Sequence, residues 1–255
     1  MTSRSLHTLV RGLRLRRGRE RRGLALAEGV RLVEEALAAG VAIRQVLASP
    51  ALEATPRGRA LKAGLTRAGH RVEPVTERAF EELAATDHPQ GVLAVVEPPR
   101  WRLDQVRPGP RAPALVLDGV QDPGNVGTMV RTAFGLGAAG VLGLPGTAEL
   151  TNPKTLRATM GACFRLPALP VEEAELRRWA EERNVQVLIA VADGSPPGGW
   201  RGSAIALVVG NEGAGVRPAL AEWAHGRIGI PLRAGAESLN VGIAAGILLY
   251  EATRE

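Results

Sequence analysis

Residues 114–133 read Ala-Leu-Val-Leu-Asp-Gly-Val-Gln-Asp-Pro-Gly-Asn-Val-Gly-Thr-Met-Val-Arg-Thr-Ala, and their order decides the class of fold. Ala114 to Leu117 is a fully apolar run of the kind found in parallel strands buried on both faces. The run ends at Asp118 and passes through polar turn residues into the helical spacing of Asn125 to Phe134. Open α/β sheets build their sites where a strand's carboxyl end feeds such a helix. Asn125 is placed to cap this helix, and Arg131, about two turns in, projects from it.

The same alternation continues on both sides. Downstream, strands are expected at 139–144, 166–169, 186–192, 204–209 and 227–230, with helices at 153–163, 172–183, 217–223 and 240–252. Strands alternating with helices imply a mostly parallel sheet covered on both faces. Upstream, strands at 24–27, 43–48, 71–75 and 91–97 alternate with helices at 30–37, 58–68 and 77–85, which describes a smaller α/β/α domain. Pro98, Pro99, Pro108, Gly109, Pro110 and Pro113 punctuate the stretch between the halves. The organisation expected is therefore a basic N-terminal arm at 1–22, a small domain at 23–98, a linker at 99–113 and a larger α/β domain at 114–255.

Charge is distributed as unevenly as structure. The 255 residues carry 32 basic and 26 acidic side chains, a net charge of +6. The first 22 residues alone carry +7, from Arg4, Arg11, Arg14, Arg16, Arg17, Arg19, Arg21 and Arg22 against Glu20, so the rest of the chain is close to neutral. Such a segment reads as a phosphate-binding tail, or more plainly as a solvated charged one. Hydrophobic residues at 45% and charged ones at 23% exclude a wholly disordered chain and a coiled coil. No apolar run of about 18 residues suggests a membrane span, and no secretory signal is readable, so a cytoplasmic location is the expectation. Cys163 is the single cysteine and His7, His70, His88 and His225 are scattered, so no metal site is readable.

One motif misleads. Gly135, Gly137 and Gly140 satisfy the dinucleotide spacing G-x-G-x-x-G, but they close a helix and precede a strand, the reverse of the order that brings pyrophosphate to a helix N-terminus. They read as a helix stop. Two other segments are more informative. Val209, Gly210, Asn211, Glu212, Gly213, Ala214, Gly215 and Val216 follow an apolar run, and three glycines in six residues let backbone approach a ligand closely around one carboxylate. Ile230, Pro231 and Leu232, then Ser238, Leu239 and Asn240, lead into the small-residue helix that begins Val241-Gly-Ile-Ala-Ala-Gly. Taken alone, Ser238 or Asn240 is equally readable as an N-cap, and the alanine-glycine face as a packing surface.

In this order and spacing, the three segments resemble the SpoU (TrmH-like) group of the SPOUT RNA methyltransferases, which transfer a methyl group from S-adenosylmethionine to a ribose 2'-hydroxyl. The resemblance spans 114–251, while 24–37 with the His-Pro-Gln-Gly-Val-Leu-Ala-Val-Val stretch at 88–96 is similar to the family's L30e-like substrate-binding domain. It implies an α/β fold with a trefoil-knotted C-terminal domain, a homodimer, RNA as partner with ribosomal RNA favoured, no membrane and no metal. The residues it implies for catalysis are Arg131, Asn125, Glu212, Ser238 and Asn240. For the S-adenosylmethionine pocket it implies Val209, Gly210, Asn211, Gly213, Ile230, Leu232, Ser238, Leu239 and Asn240. Two departures are modest: Gly242 stands where a serine often follows the Asn-Val pair, and His7 and Thr8 stand where relatives often read Asn-Pro.

A guanidinium stays protonated in almost any protein site, so Arg131 is not expected to act as a base. It is expected to fork onto an RNA phosphate and stabilise the developing alkoxide, with Glu212 orienting Arg131 or other polar groups near the hydroxyl. The rival readings are a transfer RNA methyltransferase of the same family, a non-catalytic RNA-binding or ribosome-assembly protein, and a Rossmann oxidoreductase, which the misplaced glycine pattern disfavours.

Overall fold

The computed structural model describes residues 3–198 and 202–254, with side chains from residue 6. Backbone contacts divide it into two compact units: the residues up to Pro99 together with Thr151–Phe164, and Arg100–Leu150 together with the residues from Arg165.

In the first unit, α1 (Ser3–Arg14) and α2 (Arg16–Arg22) lead into β1 (Ala25–Glu28), α3 (Val30–Ala38), β2 (Ala42–Ala48), α4 (Pro56–Arg67), β3 (Val72–Pro74), α5 (Glu77–Leu83) and β4 (Val92–Glu97). The four strands form a mixed sheet in the order β1-β4-β2-β3. The basic segment is built into this unit and is not a separate arm. Leu6, Val10 and Leu13 recur at helical spacing on α1 and are buried with Leu26, Leu47, Phe80, Leu83, Leu93 and Val95. Each such burial stabilises by about 1.5–3 kcal/mol. The corner between α1 and α2 is equally specified. A Cβ on Gly18 would stand 1.9 Å from the Gly12 carbonyl oxygen, so only glycine fits. Arg19, 4% exposed, donates through Nη1 to the carbonyls of Leu13 (2.9 Å) and Arg14 (2.7 Å), which the end of α1 leaves without helical partners. The side chain of Arg4 lies outside the described residues.

The second unit is the expected parallel α/β body. Its elements are β5 (Ala114–Asp118), α6 (Pro123–Gly135), β6 (Gly140–Gly143), β7 (Ala168–Pro170), α8 (Glu173–Glu182), β8 (Gln186–Ser195), β9 (Ile205–Gly210), α9 (Pro218–Trp223), β10 (Gly226–Ile228) and α10 (Val241–Thr253). The strand order is β10-β8-β9-β5-β6-β7, and every pairing is parallel. All of β5 is buried, as its apolar run requires. The glycines at 135–140 do stop a helix: α6 ends at Gly135, Gly137 has φ +75°, and β6 starts at Gly140.

Two further segments sit differently from the sequence expectation. The proline-rich stretch at 99–113 packs as a strap, with Val106 fully buried in the second unit's core and Trp101 and Leu103 against it. The helix expected at 153–163 is shorter, as α7 (Pro153–Thr159) and a 3₁₀ turn at Ala162–Phe164, and it packs in the first unit. Leu156 and Phe164 are buried there beside Ala25, Val33 and Ala36. The buried carboxylate of Glu28 accepts from the Ala85 amide (2.7 Å) and Thr86 Oγ1 (2.5 Å), and Arg157 of α7 stands 4.0 Å from it.

Candidate functional site

The first two motifs leave neighbouring strands side by side. β5 ends at Asp118 and β9 at Gly210, and these residues face each other in the ladder. The loop after Gly210 is a built structure fastened at both feet. At its first foot, Asn211 Nδ2 donates to the Gly119 carbonyl (2.8 Å), and Asn211 Oδ1 accepts from the amides of Gly213 and Ala214 (2.9 Å each). The backbones of Asn211 and Gly215 exchange two hydrogen bonds. Only glycine fits at 210, where a Cβ would stand 2.2 Å from the Gly215 carbonyl carbon.

At the second foot, Asp118 accepts from the Arg217 amide (2.8 Å) and from Arg217 Nε (2.7 Å), while Arg217 Nη2 donates to the Pro145 carbonyl (2.9 Å). Asp118 is 2% exposed. A buried carboxylate persists because a guanidinium and an amide together satisfy it. Reading the sequence did not single out this pair for a role. The signal was a carboxylate ending a fully apolar strand run, which needs a cation once buried.

Between these feet the loop presents Glu212. Its Oε1 accepts from Asn125 Nδ2 (3.1 Å) and the Asp122 amide (3.4 Å), and its Oε2 accepts from the Gln121 amide (3.2 Å). Partial burial disfavours the ionised carboxylate. The donors from Asn125, Gln121 and Asp122 outweigh it and hold the carboxyl below its ordinary value. Asn125 in turn accepts at Oδ1 from Asn240 Nδ2 (3.2 Å), and Asn240 Oδ1 caps α10 by accepting from the amides of Gly242 (2.9 Å) and Ile243 (3.3 Å). One chain of side chains, Glu212 to Asn125 to Asn240, therefore joins all three motifs.

Asn125 does not cap α6. Asp122 does, accepting from the Gly124 and Asn125 backbone amides with Pro123 in the first turn, and this leaves the Asn125 side-chain carboxamide for Glu212 and Asn240. The Asp-Pro order was the available signal, since proline is favoured just inside a helix start. Nor does Glu212 orient Arg131. Arg131 is exposed on α6 and makes no hydrogen bond or ion pair with a described residue. Ser238 is also exposed, within a stretch at 231–240 in which every residue is exposed. Ile230 is half-buried where this stretch begins, and Leu232 and Leu239 lie along it at 36% and 37% exposure. Val209 is buried in β9 and offers backbone only.

The donor set suits an uncharged adenosyl group better than a metal. Open backbone surrounds Gly213, whose Cβ position meets nothing nearer than Asn211 Oδ1 at 3.7 Å, and Gly215, whose Cβ position meets nothing within 4 Å. Leu232 and Leu239 are exposed apolar side chains in the third motif's stretch. Among the described residues no group of three or more His, Cys, Asp or Glu is placed to hold a metal ion, and no helix is long and apolar enough to cross a membrane. A cavity of about 190 Å³ lies in the first unit, lined by residues that include Arg44, His70, Arg71 and Glu73, and none of the three motifs contributes to it.

The fold is that of an α/β methyltransferase body of SPOUT type, with a second, smaller unit at the N-terminal end of the chain. The chain belongs to the SpoU rRNA Methylase family, whose model matches residues 112–250, and the MRM3-like substrate binding domain matches residues 9–94. Among its relatives is the 23S rRNA (guanosine(2553)-2'-O)-methyltransferase RlmP of Bacillus subtilis, 35% identical over 246 residues, covering 93% of this chain and 92% of the relative. The AdoMet-bound rRNA methyltransferase from Sinorhizobium meliloti superposes with a TM-score of 0.86 at 30% identity, covering 99% of this chain and 95% of the other. AviRb from Streptomyces viridochromogenes, in complex with AdoMet, gives 0.84 at 29% identity, covering 99% and 97%.

Proposed function

We propose that this protein methylates a ribose 2'-hydroxyl of ribosomal RNA, using S-adenosylmethionine. The observation that carries the reading is the Glu212–Asn125–Asn240 chain, which joins three motifs from distant parts of the sequence. The 23S rRNA 2'-O-methyltransferases among the relatives support ribosomal over transfer RNA. A cytoplasmic location follows from that substrate.

When bound, S-adenosylmethionine supplies an electrophilic sulfonium methyl group. The backbone of 209–213 and 230–232, with Leu239, would hold it, and Ser238 and Asn240 would border it. The chain's own task is positioning and help with one proton. Arg131 is exposed and makes no hydrogen bond or ion pair with a described residue, so its planar fork is available for an RNA phosphate and for the alkoxide that develops at the 2'-oxygen. The hydroxyl proton leaves to a phosphate oxygen or water. Glu212, ionised and held by three donors, fixes the Asn125 carboxamide, whose second N–H would be the one to reach the ribose.

The site is completed by a second copy. Gly242 and Gly246 of α10 lie against Thr128 and Thr132 of α6, which uses up the helix's small-residue face within the chain. Its other face exposes Ile243 (57%), Ile247 (37%) and Tyr250 (55%) at helical spacing, with Phe134 of α6 at 44%. This apolar stripe is the homodimer face. The trefoil knot belongs to the same reading. β10 lies at the sheet edge, and the chain must cross the ends of β8 and β9 to bring α10 onto α6.

The test is methyl transfer from labelled S-adenosylmethionine to a 23S rRNA transcript, with transfer RNA as the second substrate and alkaline digestion to separate ribose from base methylation. Alkali-resistant labelled dinucleotides from 23S rRNA are expected. Label in transfer RNA alone would move the substrate to the rival reading, base methylation would overturn the chemistry, and no transfer at all would favour a non-catalytic RNA-binding protein.

A further inference from the structure

We propose that the corner between α1 and α2 is a rigid RNA-docking element of the first unit, in which Arg17, Arg21 and Arg22 hold backbone phosphates and Leu15 packs on an RNA base or ribose. The proposal rests on RNA being the substrate, and it assigns a surface that the three-motif site does not provide. Its first support is the division of labour among the arginines. Arg19 is buried in the corner, and Arg14 donates to the Ala84 carbonyl, so these two build the fold. Arg16 pairs with Glu20, and Arg11 stands 3.9 Å from Glu82. Arg17, Arg21 and Arg22 remain exposed with no acidic partner among the described residues, within which Arg22 makes only a long 3.4 Å bond to the Gly18 carbonyl. Arg17 and Arg21, four apart on α2, share one face.

The second support is Leu15. At 68% exposure it is the most exposed large apolar side chain among the described residues, and it sits at the corner itself, between Arg14 and Arg16. An exposed apolar group with arginines on both sides in the chain is well placed against nucleic acid, where phosphates satisfy the cations and a base or ribose covers the leucine. Rigidity separates this from a solvated charged tail. The buried Leu6, Val10 and Leu13 and the close approach of Gly18 to Gly12 fix the corner before RNA arrives, so little ordering opposes binding. Deleting residues 1–22 would open the first unit's core, so point substitutions are the right probe.

The experiment uses the full chain, a 23S rRNA transcript, and affinity measured across a salt series. The triple variant Arg17→Gln, Arg21→Gln, Arg22→Gln is expected to weaken binding about 10- to 100-fold at 0.1 M salt. It should also make the log-log salt slope shallower by about 2 to 3 units, the value for three phosphate contacts. Leu15→Ala should weaken binding several-fold with the slope unchanged, which a purely electrostatic tail would not produce. Affinity for S-adenosylmethionine, read by calorimetry, and the melting temperature should hold in both. Hydrogen exchange on the wild type provides a check free of substitutions, with RNA expected to protect amides of 12–22. Wild-type affinity and slope in the triple variant, or no protection at the corner, would overturn the proposal. If the wild type binds the transcript but transfers no methyl group, the methyltransferase reading fails and the docking corner stands.

Discussion

The two loops that close over the carboxyl edge of the six-stranded sheet are opposites. The loop at 210–217 is nearly self-sufficient: both feet are tied to residues 118 and 119, its backbone bridges itself, and its carboxylate is met by three donors. The stretch at 231–240 is exposed along its whole length, has one internal turn bond from the Ala236 amide to the Arg233 carbonyl, and among the described residues is tied to the rest of its unit only at Asn240. Arg131 belongs with the second kind, a cation with no partner among the described residues. Half of the site is thus formed without ligand, and half presents groups whose partners are the cofactor, the RNA or a second subunit. Substitutions in the two halves should fail differently. Built positions should lose stability together with function, and open positions should lose function alone.

Arg131 gives the largest expected effect and the cleanest case of an open position. Arg131→Ala should lower single-turnover methyl transfer by roughly 100-fold or more, because the lost stabilisation is realised mainly in the transition state. The melting temperature and the affinity for S-adenosylmethionine should stay at wild-type values. Arg131→Lys keeps the charge without the planar fork and should recover only a small part of the rate. Near-normal transfer by Arg131→Ala would remove the residue from the catalytic set.

Two neighbouring glycines split the comparison within the built loop. The Cβ position of Gly213 has room, so Gly213→Val should fold, and its branched side chain should weaken S-adenosylmethionine binding about tenfold or more by occupying the proposed pocket. Gly210→Ala would place its Cβ 2.2 Å from the loop backbone and should lower the melting temperature first. Calorimetry beside thermal melting reads both, and wild-type cofactor affinity in folded Gly213→Val would dismantle the proposed pocket.

Glu212→Gln should cost both properties, about tenfold in transfer, as expected when a charged acceptor of several hydrogen bonds is lost. Glutamine has one acceptor oxygen where the carboxylate has two, so its amide must face one of the donors from Gln121, Asp122 or Asn125. The sign with pH follows from the lowered carboxyl. The contribution of Glu212 is fully present above the ordinary carboxylate value and is lost as pH falls through its lower folded value. The wild type should therefore lose stability on acidification where the Gln variant changes less. Parallel acid limbs in thermal melts of the two proteins would show that Glu212 carries no such linkage.

Much of this contrast was legible in the sequence, and what was not has physical causes. Apolar runs at 114–117 and 204–209 place the strands, and glycine density at 210–215 marks a loop that approaches something closely. Periodicity cannot say which core a helix joins. Leu156 and Phe164 look the same in sequence whether they pack on the nearer sheet or, as they do, in the other unit. It also cannot reveal that a run of arginines contains a buried one, because the acceptors of Arg19 are carbonyls that appear only when α1 ends. The cap of α6 is likewise one turn earlier than expected: Asp122 accepts from the Gly124 and Asn125 amides, so the helix has begun by Pro123 and Asn125 lies inside its first turn.

The smallest effect comes from two residues of one segment. Ser238 and Asn240 carry similar short polar side chains two positions apart, and on sequence grounds either was a candidate cap for α10. Only Asn240 is tied to the built half, through the α10 amides and Asn125, while Ser238 is exposed and makes no hydrogen bond with a described residue. Asn240→Ala should therefore lower stability by about 1 kcal/mol, the usual cost of a lost cap, and should reduce transfer by releasing Asn125. Ser238→Ala should leave the melting temperature unchanged and reduce transfer only a few-fold, since a hydroxyl satisfied by solvent in the free protein contributes only when ligand replaces that water. Adding S-adenosylmethionine should separate the pair again, because the melting temperature of the wild type should rise more than that of Ser238→Ala at equal ligand concentration. An equal rise in the two proteins would mean that Ser238 does not border the cofactor, and a fall in stability without ligand would mean that the segment at 231–239 is already built.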